Sequence, residues 1–306
     1  MGFIALLLAL GVTGFGIAFV RRPEVFLDAA LRAARRAAKL ETRRIRAGDH
    51  EIAYLDGGSG EPLVLLHGFG ANKDHWPTLA KQLVGRYRII APDVPGFGES
   101  DKHPALRYAI DDQVERIHAF VAALGLERFH LGGNSMGGQL AAAYAARHPE
   151  RVMSLWLLAP AGVATAQPSE LQAHLARGEN PLLVDDAAGF ARLVHLCFSK
   201  APYVPGPFQR VLAARAVAER PFNDKIFQDW LARPAWLESR VEGLHMPTLV
   251  SWGEEDRVLH HSGAAILGRL VPEARVVVMP GVGHLPMMER PGESAAQFLE
   301  FRKATA

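Results

Sequence analysis

The chain has 306 residues, of which 49% are hydrophobic and 22% charged, so it is long enough to bury a large core. Its 34 basic and 32 acidic side chains leave a net charge of +2, which is too small to indicate a nucleic-acid-binding protein. The single cysteine, Cys197, excludes an intrachain disulfide framework and cysteine-rich metal sites. We therefore expect one large α/β domain or two small ones, with no nucleic acid as partner.

The N-terminal stretch is the exception to a soluble protein. Residues Phe3–Val20 carry no charged side chain, and a helix of that length spans about 27 Å, close to a bilayer core. No basic segment precedes the stretch, and no A-x-A-like cleavage site separates it from Arg21 and Arg22. We therefore expect residues 1–22 to form a retained single-pass anchor rather than a signal peptide. Gly14 and Ala18 have the spacing that lets two such helices approach closely, which suggests a homodimer through this helix.

A second helix is predicted over residues 23–41. Five of its charged residues recur at three- and four-residue steps and share one face: Asp28, Arg32, Arg35, Arg36 and Lys39. A basic amphipathic helix beside an anchor is expected to lie on anionic headgroups of the bilayer. The alternative is an ordinary solvated linker helix.

From residue 42 the sequence predicts an alternation of strands and helices, which indicates a mainly parallel sheet with helices on both faces. The predicted strands cover residues 42–47, 50–55, 62–66, 87–92, 129–131, 152–158, 247–252 and 274–279. The predicted helices cover residues 74–84, 110–124, 139–147 and 262–270, with a last helix that ends near residue 303. The catalytic domain is accordingly predicted over residues 42–160 and 244–306.

The alternation stops between residues 161 and 243. This stretch contains helix-like segments, proline-rich turns and many apolar side chains, but no convincing strand. We interpret it as a helical cap over the carboxyl ends of the strands. A plain second layer of helices is the alternative interpretation.

A serine turn connects one predicted strand to the helix that follows it. Ser135 has Gly133 two residues before it and Gly137 two residues after it, which is the spacing of a nucleophile elbow. Glycines at these positions let the strand and the helix approach closely, and the turn places the backbone N–H of Met136 at a helix N-terminus, where an oxyanion is stabilised. A glycine-rich connection with an incidental serine is the competing interpretation.

A nucleophilic serine needs a histidine base, and the histidine needs a carboxylate that fixes its tautomer. The strand that ends at Trp252 is followed by Glu254, Glu255 and Asp256, of which Asp256 is our candidate because the glutamates are expected in solvent. The next strand leads to His284, which two glycines leave on a loop at a strand end. The order serine, acid, histidine is that of a hydrolase triad on this type of sheet.

The loop after the third predicted strand is expected to supply a second oxyanion donor. His67-Gly-Phe-Gly70 is that loop, the backbone N–H of Phe69 is the candidate donor, and His67 is expected to hold the loop. No H-E-x-x-H, P-loop or cysteine-histidine cluster occurs in the sequence. We therefore expect neither a metal nor another cofactor.

Together these motifs resemble the α/β-hydrolase superfamily from about residue 50 to residue 303. They are His-Gly-Phe-Gly at 67–70, Asp-Val-Pro-Gly-Phe-Gly-Glu-Ser at 93–100, Gly-Asn-Ser-Met-Gly-Gly at 133–138, Trp-Gly-Glu-Glu-Asp at 252–256 and Gly-His at 283–284. The N-terminal anchor and the segments 112–118 and 288–291 are similar to single-pass monoacylglycerol lipases, lysophospholipases and bacterial inner-membrane phospholipase A enzymes. The resemblance implies acyl-ester hydrolysis on membrane lipids, with a lipid substrate, a fatty-acid product and the bilayer as partners.

Two alternatives remain. Asn134, which precedes the nucleophile, also occurs in hydrolases of aromatic meta-cleavage products, which split a carbon–carbon bond with the same triad. A different class of function is an inactive hydrolase fold that serves as a lipid-binding scaffold. The expected location is the bacterial cytoplasmic membrane: the basic flank after the anchor favours a cytoplasmic catalytic domain, whereas the bacterial resemblance allows a periplasmic one.

Overall fold

The structure, a computed structural model, describes residues 16 and 18–305, and its elements are numbered here in chain order. The strands are β1 Glu41–Ala47, β2 His50–Gly58, β3 Glu61–Leu66, β4 Tyr87–Pro92, β5 Phe129–Asn134, β6 Val152–Leu158, β7 Thr248–Gly253 and β8 Ala274–Met279. The α-helices are α1 Pro23–Ala37, α2 Pro77–Leu83, α3 Ile110–Ala123, α4 Met136–Arg147, α5 Glu170–Ala176, α6 Ala187–Cys197, α7 Gly206–Ala232, α8 Glu238–Val241, α9 Ser262–Leu270, α10 Pro286–Glu289 and α11 Pro291–Ala304.

All eight strands form one sheet in the order β1-β2-β4-β3-β5-β6-β7-β8. β1 and β2 pair antiparallel, β2 pairs antiparallel with β4, and the strands from β4 to β8 are parallel. The carboxyl ends of β3, β5, β6, β7 and β8 therefore lie at one edge, where α/β folds bind their ligands. This is the mainly parallel sheet of an α/β-hydrolase fold, as predicted.

The sheet is buried on both faces because its central strands are mostly apolar. In β3, Val64 and Leu66 pack into one hydrophobic cluster together with α3, α4 and α9, whereas Leu63 and Leu65 pack into the other with α2 and α11. Successive side chains of a strand point to opposite faces, so one short apolar run serves both layers.

The stretch between β6 and β7, which the structure describes completely, contains α5 to α8 and no strand. The helix α7 is the longest helix in it, and it carries Pro221 in its interior. Its side chains Phe227 and Trp230 pack against Phe69, which lies in the loop after β3. This helical layer therefore covers the carboxyl edge of the sheet.

The predicted anchor falls mostly on residues 1–15 and 17, which lie outside the described part of the chain. Among the described residues, no helix is both long enough and apolar enough to span a membrane. The helix α1 is present where the sequence predicts a basic amphipathic helix, although it ends at Ala37 and residue 41 already belongs to β1. Arg35 on this helix forms a two-point ion pair with Asp74, at 2.7 and 2.6 Å. Arg35 therefore faces the protein, and only the remaining basic residues of the predicted face are exposed: Arg32, Arg36 and Lys39.

Candidate active site

Ser135 occupies a strained turn between β5 and α4. Its backbone angles are φ 56° and ψ −121°, a conformation that L-residues rarely adopt. A Cβ atom at Gly133 would lie 2.1 Å from the carbonyl oxygen of Gly137, and one at Gly137 would lie 2.2 Å from that of Leu66. Only glycine fits at either position, so the spacing seen in the sequence is a steric requirement of this turn.

The two predicted oxyanion donors belong to the residue after Ser135 and to a loop that packs against Ser135. Met136 is the first residue of α4, so its N–H is at the positive end of the helix dipole. Gly68, which precedes Phe69, is so close that a Cβ on it would lie 3.2 Å from Cβ of Ser135. Neither N–H donates to another backbone carbonyl in the turns and loops of the described chain. Both are thus available to an oxygen that develops negative charge.

Asp256 and His284 form a direct, buried hydrogen bond. His284 Nδ1 lies 2.8 Å from Asp256 Oδ2, and only 4% of His284 and 6% of Asp256 is exposed. Because the carboxylate only accepts, Nδ1 carries the proton and Nε2 is left free to accept one. Asp256 also accepts hydrogen bonds from three N–H groups, those of Trp252 Nε1 at 3.0 Å, Val258 at 2.8 Å and Leu259 at 2.9 Å. The carboxylate is therefore held in one orientation.

The two neighbouring glutamates do not reach His284. Glu254 and Glu255 are exposed, as the sequence led us to expect, and Glu255 instead accepts a short hydrogen bond from the hydroxyl of Ser199. Gly253 lets the loop that carries the third acid lie against the loop that carries His284. A Cβ there would lie 2.0 Å from the carbonyl oxygen of Gly283, so the loops after β7 and β8 touch through their backbones.

Asn134 links the serine turn to the histidine loop. Its Nδ2 donates to the carbonyl of Leu158 at 3.0 Å and to the carbonyl of His284 at 3.1 Å. The hydroxyl of Ser135 forms no side-chain hydrogen bond with any described residue. The structure thus joins Asp256 to His284 directly and places Ser135 on the adjoining turn, an arrangement that often tightens only when substrate binds.

Two groups that the sequence did not single out hold His284 from the other side. The N–H of His284 donates to the carbonyl of Cys197 at 2.9 Å. Glu289 accepts from the N–H of Gly283 at 2.8 Å and from that of Ser199 at 2.9 Å. Burial raises the pKa of the Glu289 carboxyl. The only hint in the sequence was that Glu289 lies five residues after His284. An acidic residue on a helix does not by itself indicate a contact with the histidine loop, so the role of Glu289 became visible only in the structure.

His67 holds the loop that carries Phe69. Its Nδ1 donates to the carbonyl of Gly68 at 2.8 Å, and its Nε2 accepts from the N–H of Val94 at 2.9 Å. Burial lowers the pKa of His67, so the neutral ring that this pattern requires is also the favoured form.

Below this loop, Lys73 is buried with its Nζ 2.8 Å from both Asp93 and Glu99. No candidate metal site of three or more His, Cys, Asp or Glu side chains occurs within residues 16 and 18–305.

The helical layer presents aromatic rings to the same loop. Phe69 contacts Phe97 at 5.7 Å, Phe227 at 5.6 Å and Trp230 at 6.0 Å between ring centroids. Trp230 is fixed in turn by its Nε1, which donates to Gln139 on α4 at 2.9 Å. The wall beside the proposed oxyanion donor is therefore aromatic and apolar, which suits a hydrocarbon chain better than a charged group.

Comparison with known proteins finds a family of hydrolases, two lipases and a solved phospholipase structure. A model of the alpha/beta hydrolase fold family matches residues 61–291. Lipase 1 of Psychrobacter immobilis is 35% identical over 269 residues, which cover 86% of this chain and 84% of that protein. Monoacylglycerol lipase ABHD6 of Homo sapiens is 30% identical over 308 residues, 96% of this chain and 91% of that protein. The crystal structure of a membrane phospholipase A, a bacterial virulence factor, matches with a TM-score of 0.91 and 42% identity over 99% of this chain and 98% of that one.

Proposed function

The chain belongs to the α/β-hydrolase fold family and is a carboxylic ester hydrolase that acts on lipids, and we propose that it cleaves acyl esters of membrane phospholipids, lysophospholipids or monoacylglycerols through an acyl-enzyme on Ser135. In this proposal Ser135, His284 and Asp256 form the catalytic triad, and the N–H groups of Phe69 and Met136 form the oxyanion hole. The observation that carries it is the buried 2.8 Å hydrogen bond between His284 and Asp256 beside the strained turn of Ser135.

In the proposed mechanism each group has one step. Oγ of Ser135 attacks the acyl carbon while its proton passes to Nε2 of His284, and the carbonyl oxygen becomes an oxyanion that the two N–H groups bind. The ester C–O bond then breaks, and His284 returns the proton to the leaving alcohol oxygen. Water, activated by the same nitrogen, hydrolyses the acyl-enzyme and releases a fatty acid. Asp256 stabilises the imidazolium in both halves and is not itself protonated.

A fluorophosphonate probe tests the nucleophile. The full chain should be labelled at Ser135, and the variant S135A, which keeps the fold because only one oxygen is removed, should not react. Labelling that persists in S135A would contradict the assignment. A folded protein that never reacts would favour the inactive scaffold.

A panel of substrates tests the substrate class. We expect turnover of lysophospholipid, phospholipid or monoacylglycerol and of short test esters. The runner-up, a meta-cleavage product hydrolase, predicts turnover of a vinylogous diketo acid instead. Exclusive turnover of that acid would reverse the proposal.

Membrane attachment completes the proposal. Residues 1–22 would anchor the chain in the cytoplasmic membrane, and the anchors would pair weakly through the face of Gly14 and Ala18. Deletion of residues 1–22 should spare hydrolysis of a soluble ester and sharply reduce that of phospholipid in vesicles. Replacement of Gly14 and Ala18 by Leu should weaken a crosslinked dimer without releasing the protein. Protease access to intact spheroplasts would determine the side of the membrane.

A further inference from the structure

The N-terminal end of α7 lies against the segment that leads out of the predicted anchor. The rings of Phe19 and Phe208 meet edge to face, with centroids 5.2 Å apart, and Phe19 also contacts Phe26 of α1 at 5.5 Å. Farther along both segments, Arg215 of α7 forms an ion pair with Asp28 of α1 at 2.6 Å. The two contacts fix how the two segments run relative to each other.

Residue numbers rise in the same direction along both segments, because Phe19 pairs with Phe208 and Asp28 pairs with Arg215. The segments are therefore parallel. Because Phe208 contacts Phe19, the loop just before α7 lies on the side of the molecule where the chain enters α1. In the sequence, Phe19 belongs to Phe3–Val20, the uncharged stretch.

The loop just before α7 has the composition of a membrane-interface segment. Ala201–Pro205 contains no charged residue. Lys200 directly precedes it, and the next cation along the chain, Arg210, lies in α7. Tyr203 at the centre of the loop is 91% exposed, more than any other large hydrophobic side chain among the described residues. Val20 and Val25, at 57% and 48%, are exposed on the neighbouring segment. Tyrosine favours the level of lipid headgroups, and flanking cations favour anionic phosphates.

We propose that Ala201–Pro205 is a second membrane contact, which inserts Tyr203 among the headgroups of the bilayer that holds the N-terminal anchor. The inference rests on the anchor in the proposed function and adds to it. The helix α7 then meets the bilayer at its N-terminal end, whereas Phe227 and Trp230, which pack against Phe69, lie nearer its other end. The bilayer thus contacts the covering layer itself and not only the anchor.

Cysteine labelling measures this contact without reference to activity. The full-length Y203C variant, labelled with an environment-sensitive maleimide, is reconstituted in phosphatidylcholine–phosphatidylglycerol vesicles. L231C is the matched control, because Leu231 is also exposed, at 55%, and lies at the opposite end of α7. Burial raises the pKa of the Cys197 thiol to about 12, so the native cysteine should not compete for the label at neutral pH.

The label at residue 203 should be quenched by headgroup nitroxides and protected from aqueous iodide, whereas that at residue 231 should show the reverse. Equal iodide access at both sites in protein that floats with the vesicles would overturn the loop contact and leave the anchor standing. Protein that fails to float would overturn both.

Substitution with aspartate supplies a second, independent test. Y203D should lower hydrolysis of vesicle phospholipid roughly threefold to tenfold because a carboxylate is repelled by anionic headgroups. Turnover of a soluble butyrate ester should not change, and L231D should affect neither substrate. Equal vesicle activity of Y203D and L231D would contradict the contact.

Discussion

The loops that carry Asp256 and His284 and the seam between α1 and α7 are built in opposite ways. At the loops, buried groups satisfy one another and two backbones touch where only Gly253 fits. At the seam, an ion pair between side chains that are 45% and 42% exposed joins α1 to α7, and Phe19, just before α1, contacts Phe208 of α7. The proposed chemistry thus rests on closely packed, buried loops, whereas the side that we propose to face the membrane is held by contacts that each contribute little to stability.

The largest expected effect tests the choice of acid. D256A should lower kcat/KM for a butyrate ester by about 10³–10⁴-fold, because His284 loses the partner that fixes its tautomer. E254A and E255A are matched controls on the same loop and should lose less than about twofold. A larger loss in E255A than in D256A would show that the acid is misassigned.

The sequence predicts the elements of the fold whose hydrophobic pattern is local to one short segment. The strands 87–92, 152–158 and 274–279 and the helix 262–270 occur at the predicted residues, because their apolar periodicity is unambiguous. The strand predicted to stop at Leu131 runs on to Asn134, since glycines are poor strand formers until neighbouring strands pair with them.

The contacts around His284 were beyond prediction because they join distant parts of the chain. Cys197, Glu289 and Asn134 act through hydrogen bonds to backbone groups, which leave no pattern of residue types. The catalytic roles of Ser135, Asp256, His284, Phe69 and Met136 stay predictions until they are tested.

The second-largest effect is expected on stability, from Gly253, where the loops after β7 and β8 touch. G253A should lower the free energy of unfolding by about 2–3 kcal/mol, because the added Cβ would lie 2.0 Å from the Gly283 carbonyl. G292A is the control, since a Cβ at Gly292 meets nothing within 4 Å. Urea unfolding of both variants makes the comparison, and equal stability would show that the loops are more pliable than their geometry implies.

Glu289 provides a test of positioning rather than chemistry. E289A leaves the N–H groups of Gly283 and Ser199 without an acceptor, so kcat should fall roughly tenfold with little change in KM. E289Q, whose amide has one acceptor oxygen, should recover part of the loss. An unchanged kcat in E289A, or an equal loss in both variants, would argue against a positioning role.

Acid should destabilise the fold through His75. Burial lowers the pKa of His75 to about 4, and its Nδ1 is buried without a hydrogen-bond partner among the described residues. The unfolded chain takes up that proton near pH 6.5, so stability falls as pH drops from 6.5 towards 4, by about 2 kcal/mol at pH 5.

H75Q removes this titration, so its loss of stability between pH 7 and pH 5 should be smaller by that amount. H245Q, at an exposed histidine, is the control and should behave as the parent does. Thermal unfolding at both pH values provides the measurement. Equal losses of stability in H75Q and the parent would contradict the role given to His75.

The seam should show the smallest effect. R215A removes an exposed ion pair with Asp28, so stability should change by less than about 0.5 kcal/mol. The same substitution at Arg35, which pairs with Asp74 at two points and is 15% exposed, should cost more. Equal effects of R215A and R35A would mean that the seam is as firmly built as the site.

The hydrogen bond from His284 to the carbonyl of Cys197 has a consequence for protein engineering. A chimera that exchanges residues 161–243 between relatives would also exchange the peptide group that orients the histidine loop. Graft boundaries that look clean in a sequence would thus transplant part of the scaffold of the active site. A design that aims to change substrate preference alone should keep residues 197–199 from the recipient and begin the foreign segment at Gly206.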